Sequence, residues 1–78
     1  MTDEEKLRKK IRDSGFRIAF VAEKCGMSYQ ALLNKMRNDT EFVASEIKAL
    51  RNLLGIDEVE AEDIFFADNV GKTPTANS

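Results

Sequence analysis

Apolar residues recur at spacings of three and four in five segments of the chain, and residues that favour helix ends separate these segments. Such spacing places apolar side chains on one face of an α-helix. No segment alternates apolar and polar residues as a half-buried strand would. The pattern therefore predicts an all-α fold of five helices, at about residues 3–14, 18–24, 29–36, 45–54 and 58–66.

The inner faces of these helices predict the hydrophobic core, and Cys25 on the inner row of the second helix is expected to be a buried structural thiol. Phe65 is expected to face the core and its neighbour Phe66 to face solvent. The predicted core residues are Leu7, Ile11, Phe20, Val21, Ala22, Leu32, Met36, Ile47, Leu50, Leu54 and Phe65.

The second and third helices are separated by a short turn with strong boundary signals. Gly26 can adopt the positive φ that lets a helix stop and reverse. Ser28, two residues later, is a good N-cap for a helix that begins at Tyr29. Ala22 is small enough for the second helix to be approached closely by the third. Two helices joined by a turn of three or four residues constitute a helix-turn-helix, the arrangement that reads DNA in many regulators.

Length and composition indicate one small domain. With 78 residues the chain is near the lower size at which one core can support a fold. A single cysteine cannot form an internal disulfide, which favours a reducing, cytoplasmic environment. No apolar run is long enough to span a membrane, and the charged N-terminus does not resemble a signal peptide. We expect a domain over residues 1–66 and a flexible, polar tail over residues 67–78.

The net charge of −2 conceals an uneven distribution along the chain. From Lys6 to Arg37 there are nine basic and two acidic residues, whereas from Asp57 to Asp68 there are six acidic residues and no basic one. This asymmetry predicts a basic binding side and an acidic far side. Ordinary solvated helix faces are the alternative explanation of the same charges.

The order and spacing of the five helices, with the turn at Gly26 and the pair Val21 and Ala22, resemble the Xre/Cro-like family of lambda-repressor-like DNA-binding domains. The resemblance covers about residues 3–66. Within it, GMSYQALLNKMRNDTEF followed by SEIKALRNLLGI is similar to small phage-borne Cro-like regulators. It implies a helix-turn-helix in helices 2 and 3, a transcription regulator or repressor of phage or prophage type, and a double-stranded DNA operator as partner.

The resemblance also implies which residues contact DNA. Helix 3 would lie in the major groove, where Tyr29, Gln30 and Asn34 would read bases; a side-chain amide can bond bidentately to adenine. A solvated polar helix face is the alternative for these three residues. The residues that would contact the DNA backbone and fix the register are Arg17, Ser28, Lys35, Arg37 and Asn38. Ile18 departs from the family, since many relatives have a glutamine there that touches the DNA backbone.

Three further readings remain. An enzyme is not expected, because the chain has no histidine, one cysteine and no glycine-rich phosphate loop, and neither a cofactor nor a metal is expected. The rival is a protein-binding module, an antirepressor or accessory factor that docks on a phage repressor and retains the helix-turn-helix fold. The third alternative is a homodimer. Phe66, with Val59 or Val70, would form the apolar patch through which two copies associate. An equally favoured alternative is that these side chains contact the edge of the protein's own core.

Overall fold

The computed structural model of the protein describes residues 1–67, and within this range it contains five α-helices and no strand. These are α1 (Glu4–Ser14), α2 (Ile18–Lys24), α3 (Tyr29–Met36), α4 (Ala44–Leu54) and α5 (Glu58–Phe65). The all-α prediction and the five predicted segments are confirmed. None of the described helices combines the length and apolar character needed to cross a bilayer. The predicted flexible tail, apart from Ala67, and Val70 of the predicted dimer patch lie outside the described residues.

The helix boundaries follow from local capping. The side chains of Asp3, Ser28 and Asp57 accept hydrogen bonds from backbone N–H groups three residues later, at the starts of α1, α3 and α5. Gly15 and Gly55 follow α1 and α4 in the left-handed conformation, with φ of 83° and 68°. Local signals therefore set the starts of α1, α3 and α5 and the ends of α1 and α4.

The core lies where α2 packs on α3 and α4 while α1 packs on α4 and α5. Nine of the eleven predicted core residues are buried, and Ile47 is only partly buried against the cluster. The other buried residues of the cluster are Leu33, Ile56, Ala61 and Ile64.

Phe20 is the wrong core prediction, since its side chain is 37% exposed. The inner face of the short helix α2 is already filled by Val21 and Ala22. Phe20 instead packs against Phe16 with the rings tilted by 42° and their centroids 4.9 Å apart, and Lys24 Nζ lies 5.5 Å from the centre of the Phe20 ring. Phe20 therefore lies on the surface of α2, where Phe16 and the Lys24 ammonium group partly cover its ring.

The N-terminal residues are held against the end of α5. The Asp3 N–H donates to the Ile64 carbonyl at 2.7 Å, and the Ala67 N–H donates to the Met1 carbonyl at 2.9 Å. Thr2 between them is buried. The first and last described residues thus pair with each other, a contact between segments some sixty residues apart that no local pattern predicts.

Candidate nucleic-acid interface

Four residues, Cys25–Ser28, connect α2 to α3. Gly26 has a φ of 77°, and the Met27 N–H then donates to the Ala22 carbonyl at 2.9 Å, which folds the turn back onto α2. Cys25 is only partly buried, and burial together with the nearby charge of Glu46 raises the pKa of its thiol. The predicted turn is confirmed, and the expected full burial of Cys25 is not.

Helix α3 has two chemically distinct faces. Leu32, Leu33 and Met36 are buried in the core. On the opposite face Tyr29 is 51% exposed and Gln30 is also exposed. The helix therefore meets the domain with three apolar side chains and presents polar groups to solvent.

Gln30 and Asn34 lie side by side on that outer face. Gln30 Nε2 donates to Asn34 Oδ1 at 2.9 Å, as side chains four residues apart on a helix can. This bond uses one hydrogen and one oxygen, so the Gln30 carbonyl oxygen and the Asn34 NH₂ group remain available to a ligand. Such a pair of amides presents a donor and an acceptor next to each other, the pattern that the edge of adenine also carries.

Three of the predicted backbone-contact residues lie around this face. Arg17 is exposed just before α2, in the N-cap position, and its side chain makes no capping hydrogen bond. Ser28 Oγ accepts from the Ala31 N–H at 3.0 Å, which leaves its hydroxyl hydrogen free to donate. Arg37 is exposed at the C-cap of α3. Ser28 and Arg37 are at the two ends of α3, and Arg17 lines a groove with Tyr29 at the start of that helix.

The other two predicted backbone-contact residues have internal partners. Lys35 Nζ lies 2.9 Å from Glu46 Oε1 and 3.3 Å from the Glu41 carbonyl oxygen, and its side chain is only 16% exposed. The Asn38 side chain accepts from the Thr2 N–H at 2.7 Å and donates to the Thr2 carbonyl at 2.9 Å. The structure therefore uses both residues to hold the segment after α3 in place.

The charges are less segregated in space than along the sequence. Lys6 pairs with Asp63 at 3.2 Å and Lys10 with Glu60 at 2.9 Å, so two lysines of the basic half join α1 to the acidic helix α5. These two lysines therefore do not add to the predicted basic side, because acids of the predicted acidic side pair with them. Four basic residues of the same half have no carboxylate within 4 Å among residues 1–67. They are Arg12, Arg17, Lys24 and Arg37.

Sequence reasoning missed two arginines near the start of α3. Arg8 and Arg12 of α1 line a surface groove together with Arg17 and Tyr29. Their spacing of four residues does put them on one helix face. Which neighbour that face meets depends on the packing of α1, so the spacing alone identified no site.

Within residues 1–67 no group of His, Cys, Asp or Glu side chains is arranged to hold a metal ion. Comparison of the chain with models of protein families, with curated proteins and with solved structures gave no match. The chemistry of the surface described above is therefore the basis for assigning a function.

Proposed function

We propose that the protein is a sequence-specific regulator that binds double-stranded DNA, with a lambda-repressor-like arrangement of its five helices and α3 in the major groove. The observation that carries this proposal is the pair of amides formed by exposed Gln30 and partly buried Asn34 on the outer face of α3. The opposite face of this helix is buried, and a four-residue turn joins it to α2. A major groove about 12 Å wide accepts a helix presented in this way.

Arginines complete the proposed interface. Arg17 and Arg37 are exposed and without carboxylate partners among residues 1–67, so both are available to phosphates. Lys35 and Asn38, with their internal partners, support the interface by holding the loop after α3. In the cell, such a protein would act as a Cro-like regulator or repressor of transcription, as the resemblance implies.

The test begins with selection of duplexes from a random pool by the full 78-residue chain. Binding isotherms on the selected duplex and on a scrambled one are then compared for Gln30→Ala, Asn34→Ala and Arg37→Ala. Each amide variant should lose about 1–3 kcal/mol on the selected duplex, roughly 5- to 150-fold, and little on the scrambled one. Arg37→Ala should weaken both duplexes equally.

Two results would contradict the proposal. Selection without enrichment of any duplex would remove sequence-specific DNA as the partner. Equal losses by the amide variants on both duplexes would show that α3 does not read bases. Glu5→Gln, an exposed change at the start of α1, serves as the variant that should leave the ratio of the two affinities unchanged.

One observation favours the rival function, docking on another protein such as a repressor or a second copy of this chain. Met1 and Phe66, each 53% exposed, line a groove with the partly buried Phe42 and Ile47. Exposed apolar surface of this kind is typical of protein contacts. Sedimentation of the wild type and of Phe66→Ser separates a homodimer from a monomer, and a monomer that selects no duplex would favour docking on a different protein.

A further inference from the structure

A second surface feature adjoins the outer face of α3. It is a groove formed by the C-terminal half of α1, the connection to α2, the start of α2 and the first residue of α3. Three arginines, Arg8, Arg12 and Arg17, line it, and Tyr29 closes one side. The groove is therefore continuous with the surface that we propose reads bases, because Tyr29 belongs to both.

The lining of the groove is positive. It contains no carboxylate. Arg8 Nε is paired with Glu4 at 2.9 Å, whereas Arg12 and Arg17 have no carboxylate within 4 Å among the residues that the structure describes. The nearest acid in sequence, Asp13, is already paired with Lys9 at 2.7 Å. A ligand in the groove would consequently meet two uncompensated guanidinium groups.

The walls of the groove favour an anion that also has apolar surface, because they are partly apolar. Phe16 and Ile18, both partly buried, contribute apolar surface to the same lining. Guanidinium groups bind phosphate bidentately, and the apolar surface suits the sugar that lies between successive phosphates. Ile18 itself has no side-chain donor, so the side-chain donors available to an anion in this groove are the arginines and the Tyr29 hydroxyl. An extended sugar-phosphate chain matches both properties of the groove.

We infer that Arg12, together with Arg17, binds the phosphate backbone of the DNA beside the segment read by α3, so that helix α1 forms part of the interface. This inference rests on the proposed function, since it requires a duplex seated on α3. It assigns a binding role to α1, in addition to the α2–α3 unit. Arg8, which Glu4 already pairs, contributes less than the other two.

The experiment measures binding of the selected and the scrambled duplex at several salt concentrations for three variants. Arg12→Gln should weaken binding to both duplexes by the same factor. It should also reduce the magnitude of the negative slope of log K against log salt by about 1. Arg12→Lys keeps the charge and should retain the slope. Lys48→Gln is the charge-matched control, because Lys48 is exposed on α4 and does not line the groove.

The outcomes are separable. If the wild type binds selectively but Arg12→Gln behaves as Lys48→Gln does, the inference about α1 is wrong while the proposed function stands. If the wild type selects no duplex, the proposed function fails first. Thermal melting of each variant checks that a loss of binding is not a loss of folding, and a slope reduced by Arg12→Gln but not by Arg12→Lys supports the inference.

Discussion

Asn38 illustrates how one side chain can satisfy several requirements of the backbone. It is the one non-glycine residue with positive φ among residues 1–67, at 68°, a conformation that asparagine tolerates better than most residues. Its amide closes two hydrogen bonds with the backbone of Thr2, 36 residues earlier in the chain. The segment after α3 is thereby tied to the N-terminus of the protein.

Replacing Asn38 should separate these two roles. Asn38→Gly accepts the positive φ but loses both hydrogen bonds to Thr2, which should lower the free energy of unfolding by about 1–3 kcal/mol. Asn38→Ala loses the same bonds and adds the strain of a left-handed alanine, about 1 kcal/mol more. Urea denaturation measures the free energy of unfolding of both variants. Equal stability of the alanine and glycine variants would show that the backbone at position 38 is not left-handed.

The third and fourth helices are joined by one ion pair. Lys35 of α3 and Glu46 of α4 are 16% and 17% exposed, and Glu46 Oε1 also accepts from the Val43 N–H at 3.0 Å at the start of α4. Burial raises the pKa of Glu46, but the Val43 N–H and the Lys35 ammonium together outweigh it, so the pKa lies below its ordinary value of 4.5. The pair fixes α3 relative to α4 and to the intervening loop.

We expect Lys35→Met and Glu46→Gln to act in the same direction. Each should cost about 1–3 kcal/mol of stability, since a charged group loses its hydrogen-bonded partner. Each should also weaken binding to the selected duplex, because the loop after α3 loosens. If Lys35 instead contacted phosphate, Glu46→Gln would tighten binding by removing a negative charge, and Lys35→Met would lower the salt slope by about 1. Isotherms at several salt concentrations decide between the two roles.

The same pair predicts part of the acid sensitivity of the fold. Because the pKa of Glu46 is lower in the folded protein, its stabilisation is fully present above about its ordinary pKa of 4.5 and is lost as the pH falls through the lower folded value. Glu46→Gln should therefore reduce the dependence of stability on pH in the acidic range. The double variant with Lys35→Met serves as the control, since it removes both partners and leaves no unpaired charge.

In the molecule as a whole, α1 carries lysines that pair with the acidic helix α5 and arginines that line a positive groove. Lys6 and Lys10 neutralise Asp63 and Glu60 of α5. Glu58 and Glu62 of the same helix are exposed, and no cation among residues 1–67 pairs with them. The described part of the molecule thus carries two unpaired acids on α5 as well as unpaired arginines on α1 and the α1–α2 connection.

Neutralising these two acids should change DNA binding only through long-range attraction. The double variant Glu58→Gln with Glu62→Gln should bind the selected and the scrambled duplex more tightly, by similar factors, at low salt. This gain in affinity should disappear near 1 M salt, where the Debye length is about 3 Å. Glu58→Asp with Glu62→Asp keeps both charges and is the matched control. Unchanged DNA binding combined with lost association to a partner protein would identify α5 as a docking surface. Fluorescence anisotropy at two salt concentrations makes the measurement.

The five helices could be predicted from residue order alone, because the signals that set them are local. A capping bond spans three residues, as where the Ala31 N–H donates to Ser28 Oγ, and a left-handed glycine such as Gly55 ends a helix without a distant partner. The outer face of α3 was also predictable, since an apolar row at Leu32 and Met36 leaves Gln30 and Asn34 outside. Apolar spacing failed at Phe20, because the width of the buried face of a short helix depends on what packs against it.

The partners of the polar side chains, in contrast, depend on how the helices pack. Lys35 and Asn38 have side chains suited to phosphate, but their partners come from Glu46 and from Thr2, eleven and 36 positions away. Arg12 lies beside Tyr29 only because α1 packs next to the start of α2. Contacts between distant segments depend on how helices pack, and residue type and spacing along one helix carry no information about the neighbour that its side chains will meet.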